Sequence, residues 1–397
     1  MGREKIIVSD KGRAFLEKGQ LWMYRNNLQA VDKGVVDGDF VDIVSETGDY
    51  VASGFYSSQS HVVCRILTRD KMASIGEEMF KERLSFAYEF RKTTDAANLD
   101  NCRLVYGESD GLPGLIIDRY NDILSVQITC AGMEKRKDIL YRCVLEVLQE
   151  DGQDVRYIYE RNDLKAREKE GLALYKGFYG ARTDPTTVIN ENGLKILVDV
   201  ENGQKTGYFL DQKHNRMLVR NIAKGKKVLD CFSHTGGFAL NAAKGGARAV
   251  VAVDVSRTAL DLGHENACLN SLESIVSFEQ ADVFEYLAGL KKNDFDVIVL
   301  DPPAFTKSRR TVGNAYNGYL QINRMAMELL KGGGYLATCS CSRYMENALF
   351  EQMLKEAALS AGVMLRQVSV TQQNADHPVL WVNDETSYLK FYIFQII

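Results

Sequence analysis

The feature that most restricts this fold is a run of short apolar strands between about residues 227 and 341, each ending on a polar or glycine-rich signal. "KVLDCF", "AVVAVDV", "VSFEQAD", "FDVIVLDPP" and "GGYLATCSCS" alternate with the helical stretches "GGFALNAAKGG", "TALDLGHENACLNS", "VFEYLAGLKK" and "YLQINRMAMELL". Parallel strands need crossovers long enough to hold a helix, so strict alternation predicts an α/β domain with a doubly wound parallel sheet. In such a sheet the carboxyl ends of the strands converge, and a ligand sits there.

The chain of 397 residues exceeds a single ordinary core, so two or three domains are expected. Residues 1–72 read as a small β-rich domain: "GVVDGDFVDIVSETGDYVASGFYSSQSHVVCRIL" alternates apolar and polar residues, punctuated by Asp37-Gly38 and Thr47-Gly48. Its helix candidate is "KGRAFLEKGQLWMY". Residues 73–187 mix strands with two amphipathic helices and read as an α+β layer. One helix carries Phe80, Leu84, Tyr88 and Arg91 at helical spacing, the other Ile139, Cys143, Val144 and Val147. Residues 188–397 open on a hairpin-like lead, "GLKILVDVENGQKTGYFLDQ", and continue into the alternating run.

Net charge is −4, which favours a metabolic enzyme over a general nucleic-acid binder. The basic stretches at 161–169, 213–227 and 306–310 read first as solvated faces. The eight cysteines form no C-x-x-C pair, so zinc is disfavoured and free thiols are expected. No apolar run approaches the roughly 20 residues of a membrane helix, and "MGREKIIVSD" has no cleavage-type leader, so a cytoplasmic protein without a membrane partner is expected.

The strand ends suggest the cofactor. "VLDCFSHTGGF" lacks the G-x-G-x-x-G that packs a pyrophosphate, and no P-loop occurs. Asp230 can take an ammonium while Gly236 and Gly237 let backbone amides reach a carboxylate, with Phe232, Thr235 and Phe238 beside them. Asp254, next to Val255 and Ser256, suits a ribose diol, and Asp282, next to Val283, an adenine amino group. Three strand-end acids describe S-adenosylmethionine better than a phosphorylated cofactor, which they would repel. The plainer reading of each acid is a helix cap or turn.

"VIVLDPPAF" ends a strand on Asp301 followed by Pro302 and Pro303, which stiffen the turn; Asp301 should face the cofactor's methyl and a planar base, with Phe305 free to stack. If residues 335–341 are a strand, Cys339 and Cys341 project to one face near Asp301. The plainer alternative is that both are small buried hydrophobes, as free cysteines commonly are. A thiolate there has a definite use, because adding it to C6 of cytosine makes C5 nucleophilic enough to take a methyl. N-methylation needs no such cysteine.

These residues resemble the bacterial three-domain 23S ribosomal RNA cytosine-C5 methyltransferases, with a PUA domain, a central EEHEE domain and a Rossmann-like class I methyltransferase domain. The resemblance runs through "LEKGQLWMYRNNL", "LVYGESDGLPGLIIDRYND", "IYERNDLKAREKEGL", "KTGYFLDQKHNR", "DPPAFTKS", "SCS" and "ADHPV". It implies Cys341 as nucleophile, Cys339 as packing, Asp301 as the group orienting cytosine, and Phe209 and Gln212 in the cofactor pocket. Ala304 stands where two-cysteine relatives carry a second cysteine, so the base that resolves the adduct stays open. The PUA-like start implies an RNA substrate, with Lys307, Arg309 and Arg310 as phosphate contacts and the loop "TKSRRTVGNAYNGY" closing over RNA. An N-directed ribosomal RNA methyltransferase, or an RNA-binding assembly factor with a vestigial pocket, remains an alternative. The oligomeric state, a homodimer included, is open.

Overall fold

The computed structural model describes residues 3–306, 308–383 and 386–397. The chain forms two compact units, one of Met1–Ile189, Val198–Leu210 and Ala375–Thr386, the other of Asn190–Leu197, Asp211–Asn374 and Ser387–Ile397.

The first unit holds two sheets. Strands β1 (Lys5–Val8), β2 (Trp22–Tyr24), β3 (Leu28–Val31), β4 (Phe40–Ser45), β5 (Tyr50–Tyr56) and β6 (Val62–Thr68) form a six-stranded sheet in the order β2-β6-β5-β4-β1-β3. The helix expected through Tyr24 is shorter. Helix α1 spans Asp10–Glu17, capped by the Ser9 hydroxyl. Gly19 then takes a left-handed φ of 99°, and Trp22 and Tyr24 pair with Arg65 and Val62. Cross-strand pairing thus overrides the helical spacing.

The second sheet contains β7 (Asn101–Tyr106), β8 (Leu115–Tyr120), β9 (Ile123–Ile128), β10 (Tyr157–Asn162) and β11 (Tyr175–Tyr179) in the order β11-β10-β9-β8-β7. Helices α2 (Glu77–Thr94), α3 (Ala131–Glu134) and α4 (Lys137–Glu150) accompany it. Phe80, Leu84, Tyr88 and Arg91 are all buried, as their spacing predicts. Arg91 is satisfied by a two-pronged pair with Asp110 at 2.6 and 2.9 Å, the geometry that makes a buried guanidinium tolerable.

Strands β12 (Thr186–Glu191) and β13 (Leu194–Asp199) form a two-stranded hairpin. Its turn is Asn192-Gly193, both left-handed at φ 55° and 73°, as a tight right-twisted hairpin requires. Of the hairpin-like lead expected over 193–212, only Leu194–Asp199 is a strand; it pairs with β12 before it, and residues 203–209 form no strand.

The second unit carries a seven-stranded sheet of β14 (Lys227–Cys231), β15 (Ala249–Asp254), β16 (Val276–Gln280), β17 (Val297–Leu300), β18 (Tyr335–Ser340), β19 (Leu365–Thr371) and β20 (Lys390–Ile396), in the order β16-β15-β14-β17-β18-β20-β19. The first five run parallel, as the alternation predicts. Strand β20 is antiparallel to both β18 and β19, so the sheet is mixed at that edge. Helices α5 (Lys213–Ile222), α6 (Gly237–Lys244), α7 (Arg257–Leu269), α8 (Val283–Gly289), α9 (Val312–Leu329) and α10 (Asn347–Ala361) complete the unit. Its core includes Leu229, Ile298 and Leu300 of the sheet packed with Tyr319, Ile322, Phe350 and Met353. Helix α9 begins at Val312, so the second half of the expected RNA loop, "VGNAYNGY", is helical. Among the described residues no helix is long and apolar enough to cross a membrane.

Candidate active site

Parallel register brings the chemistry to one edge of the second unit's sheet. Asp230 stands level with Ala252 and Val299, Asp254 with Gln280, and Leu300 with Thr338. One residue beyond that last pair, Asp301 and Cys339 meet. The order of the sheet reverses direction between β14 and β17, the kind of switch point at which open α/β sheets bind ligands.

The loop after β14 is strained. Phe232, His234 and Gly236 take φ of 60°, 49° and 77°, left-handed at alternate positions. Two non-glycine residues there cost about 1 to 3 kcal/mol each. Such alternation builds a backbone concavity suited to an anionic group. A Cβ on Gly236 would come within 3.0 Å of the Phe278 ring. The loop is braced by Asp254, whose carboxylate accepts the amides of His234 and Ser256, both at 2.9 Å.

Asp230 is wholly buried; one carboxylate oxygen accepts the Ala239 amide at 2.8 Å and the other has no partner. Burial pushes its pKa up to about 8; Asp301 and Asp254 push the same way, while the Ala239 amide and Arg216 oppose. A buried carboxylate oxygen without a donor is costly. A ligand's ammonium would satisfy it. Asp254 and Asp282 also fill their plainer roles. Asp254 closes a turn, and Asp282 caps α8 through the amides of Phe284 and Glu285 at 2.9 and 3.2 Å. Val283 is buried, Val255 is 63% exposed, and Ser256 caps α7 through the Ala259 amide. Thr235 and Gly237 are buried, and Phe238 stacks flat on Phe391 with ring centres 5.8 Å apart, a core contact.

Beside Asp301, the two cysteines part company. Strand β18 ends at Ser340, so Cys341 lies just past it instead of on its face. Cys339 is fully buried and its thiol donates to Asp301 Oδ1 at 2.8 Å. Burial pushes that thiol well above its ordinary range, and Asp301 adds to the effect. Cys339 therefore acts as a proton donor that holds the aspartate, more than the packing residue expected. Gln212 Nε2 donates to the same oxygen at 3.1 Å, and Gln212 Oε1 accepts from Asn215 Nδ2 at 2.7 Å. Cys341 is half-buried, its sulfur 3.9 Å from the Pro302 carbonyl oxygen. Its turn is pinned on both sides: Ser340 Oγ donates to Tyr319 Oη at 3.0 Å, and Ser342 Oγ to the Thr306 carbonyl at 3.1 Å. Phe305 packs 4.6 Å from Tyr319, centre to centre.

Residues 178–380 match the family described as S-adenosylmethionine-dependent methyltransferase, and residues 6–69 the PUA-like domain. The chain belongs to the S-adenosylmethionine-dependent methyltransferases. It is 42% identical to the ribosomal RNA large subunit methyltransferase I of Aeromonas salmonicida, covering 98% of this chain and 96% of that protein. It is 38% identical to the protein of the same name from Aliivibrio fischeri, covering 98% and 99%. A solved protein from Streptococcus mutans, described as a SAM-dependent methyltransferase, shares the fold, with a TM-score of 0.82 at 22% identity over 98% of this chain and 99% of that one.

The cofactor of this methyltransferase is S-adenosylmethionine, and the orphaned Asp230 oxygen beside a concave amide loop fits an amino-acid moiety. Phe209 falls in the first unit, where Lys205 Nζ lies 4.5 Å over its ring. Lys307 and the side chain of Arg309 lie outside the described residues, while Arg310 is exposed before α9. Two of the basic stretches are not simply solvated. Arg161 and Arg167 are buried and paired with Asp163 and Glu134, and Lys213 and Arg216 are buried, Arg216 on Glu191 at 2.8 Å. Asn215, Tyr319 and Lys390 went unread in the sequence. Only Lys390 left a signal, a cation opening the otherwise apolar "KFYIFQII".

Proposed function

We propose that this methyltransferase modifies C5 of a cytosine in large-subunit (23S) ribosomal RNA through a transient bond from Cys341 Sγ to C6. The substrate class comes from relatives named for large-subunit ribosomal RNA that align over nearly the whole chain. Placement of the cysteine supports carbon methylation: Cys341 sits at the sheet's carboxyl edge, its sulfur near Pro302 of the Asp301-Pro302-Pro303 turn.

S-adenosylmethionine supplies an electrophilic methyl on a sulfonium. Asp230 would take its ammonium, the amides around Gly236 and Gly237 its carboxylate, and Asp254 and Asp282 its nucleoside. Asp301, oriented by Cys339 and Gln212, would hold the cytosine amino edge. The target base must leave its stack to meet Cys341. Thiolate addition at C6 makes C5 nucleophilic, and after methylation the C5 proton leaves and the sulfur is eliminated. Arg310, with Lys307 and Arg309, would contact phosphates.

Replacement Cys341→Ala tests this reading on ribosomal RNA from a strain lacking the protein. Methyl transfer should be abolished while cofactor binding persists, and RNA carrying 5-fluorocytosine at the target should trap a denaturation-stable complex only with the native cysteine. Full transfer by the variant would instead assign the enzyme to nitrogen methylation.

A further inference from the structure

The mechanism needs a thiolate at Cys341, which a buried positive charge close to the sulfur would favour. Asp301 is taken by Cys339 and Gln212, and would repel an anion. On the far side, β20 pairs antiparallel with β18 so that Lys390 stands opposite Ser340. Lys390 is 6% exposed, and its Nζ donates to the Ser342 carbonyl at 2.7 Å, one peptide along from Cys341. That bond uses one of three ammonium protons. Among the described residues no carboxylate lies in salt-bridge range of Lys390. A buried cation without a counter-ion is expensive.

We propose that the counter-ion is the thiolate of Cys341, and that Lys390 is the residue that activates the nucleophile. Its catalytic meaning rests on the cytosine-C5 reading above. The acidic groups that bear on Lys390 are Cys341 and Cys339, and then Glu346, which is exposed at the start of α10. From α9, Tyr319 faces both cysteines. Cys339 is committed as a donor to Asp301, which leaves Cys341 as the partner. Burial holds the Lys390 pKa down to about 8, so a fraction of the amine is neutral near physiological pH. The transfer is balanced within the pair. The Sγ–H bond breaks, its electrons stay on sulfur, and the proton bonds the free electron pair of Nζ, leaving thiolate and ammonium. After elimination from C6 the thiolate returns to the same ammonium. Lys390 need not touch RNA or cofactor; it acts through Cys341.

The test is alkylation of Cys341 by iodoacetamide in the full-length protein from pH 6 to 10, without RNA or cofactor, read by peptide mass spectrometry. The native protein should titrate with a midpoint clearly below the ordinary thiol value of about 8.5. In Lys390→Met the midpoint should rise by at least one pH unit, slowing alkylation at pH 7 about tenfold, with the rates converging near pH 10. Lys390→Arg keeps the charge and should stay near the native curve. The methylation rate of Lys390→Met should likewise recover towards alkaline pH, with cofactor affinity unchanged. Superimposed alkylation curves for native and Lys390→Met protein would overturn the proposal. A native midpoint at or above 8.5 would do so without any variant, even if Lys390→Met fails to fold. Because alkylation needs no substrate, this failure is separable from that of the nucleophile assignment, which the Cys341→Ala transfer assay decides alone.

Discussion

Replacing Asp230 with asparagine should strengthen the fold at alkaline pH and weaken cofactor binding together. Asparagine is nearly isosteric and its carbonyl can still accept the Ala239 amide, now 2.8 Å from the carboxylate. What it removes is a fully buried acid whose pKa stands at about 8 against an ordinary 3.8. Between those values the unfolded chain has ionised and the folded chain has not, so the folded state binds more protons. Stability contributed by this group is full below pH 4 and falls as pH rises, levelling near pH 8. The slope is 1.36 kcal/mol per pH unit, so the native protein should lose about 4 kcal/mol relative to Asp230→Asn between pH 5 and 8. His234, whose pKa is lowered chiefly by burial, works with the opposite sign but is common to both proteins and cancels in the difference. Urea titrations of both proteins at half-unit pH steps measure it. Calorimetry with S-adenosylmethionine gives the other half. A neutral amide in place of a carboxylate facing an ammonium forfeits about 1.5 to 3 kcal/mol, or 10- to 150-fold in Kd. A stability difference that stays flat across this range would refute the burial argument, and native affinity in the variant would refute the ammonium site.

Cys339→Ala removes the donor at 2.8 Å from Asp301, and should lower kcat about tenfold with little change in cofactor Kd, while Cys339→Ser, which keeps a donor, should recover most of it; steady-state kinetics separates the two. Gly236→Ala forces a Cβ onto a φ of 77° and within 3.0 Å of Phe278, so about 1 to 3 kcal/mol of stability and a measurable part of cofactor affinity should be lost, as thermal melts with and without cofactor will report. Phe350→Ala empties a fully buried site between Tyr319 and Tyr392, whose ring centres lie 5.7 and 5.8 Å away. It should cost about 3 to 5 kcal/mol by denaturant titration, and methylation should fall too, because Tyr319 anchors Ser340 next to Cys341.

The sequence disclosed most where one periodicity had one cause. Apolar strands alternating with helices between residues 227 and 341 point to parallel pairing, which gathers their polar ends at one edge, so Asp230, Asp254 and Asp301 are legible together. Legibility failed where local pattern and partner choice compete. Trp22 and Tyr24 continue a helical spacing, yet pair with Arg65 and Val62. Two Asn-Gly pairs, at 192–193 and 202–203, signal hairpins equally well, and only the first makes one. The antiparallel return of β20 carries no local mark at all, since pairing direction is a property of two strands. The same limit governs the site. Spacing placed Cys339 and Cys341 on one face, but β18 stops between them, and the hydrogen bond to Asp301 goes to the cysteine with the poorer claim to reactivity. What distinguishes the two sulfurs is the charge each faces. Asp301 keeps a proton on Cys339, and Lys390 can take one from Cys341. That division depends on a strand fifty residues downstream of both cysteines, so a motif confined to "TCSCS" could name the pair of thiols but not tell which becomes the anion.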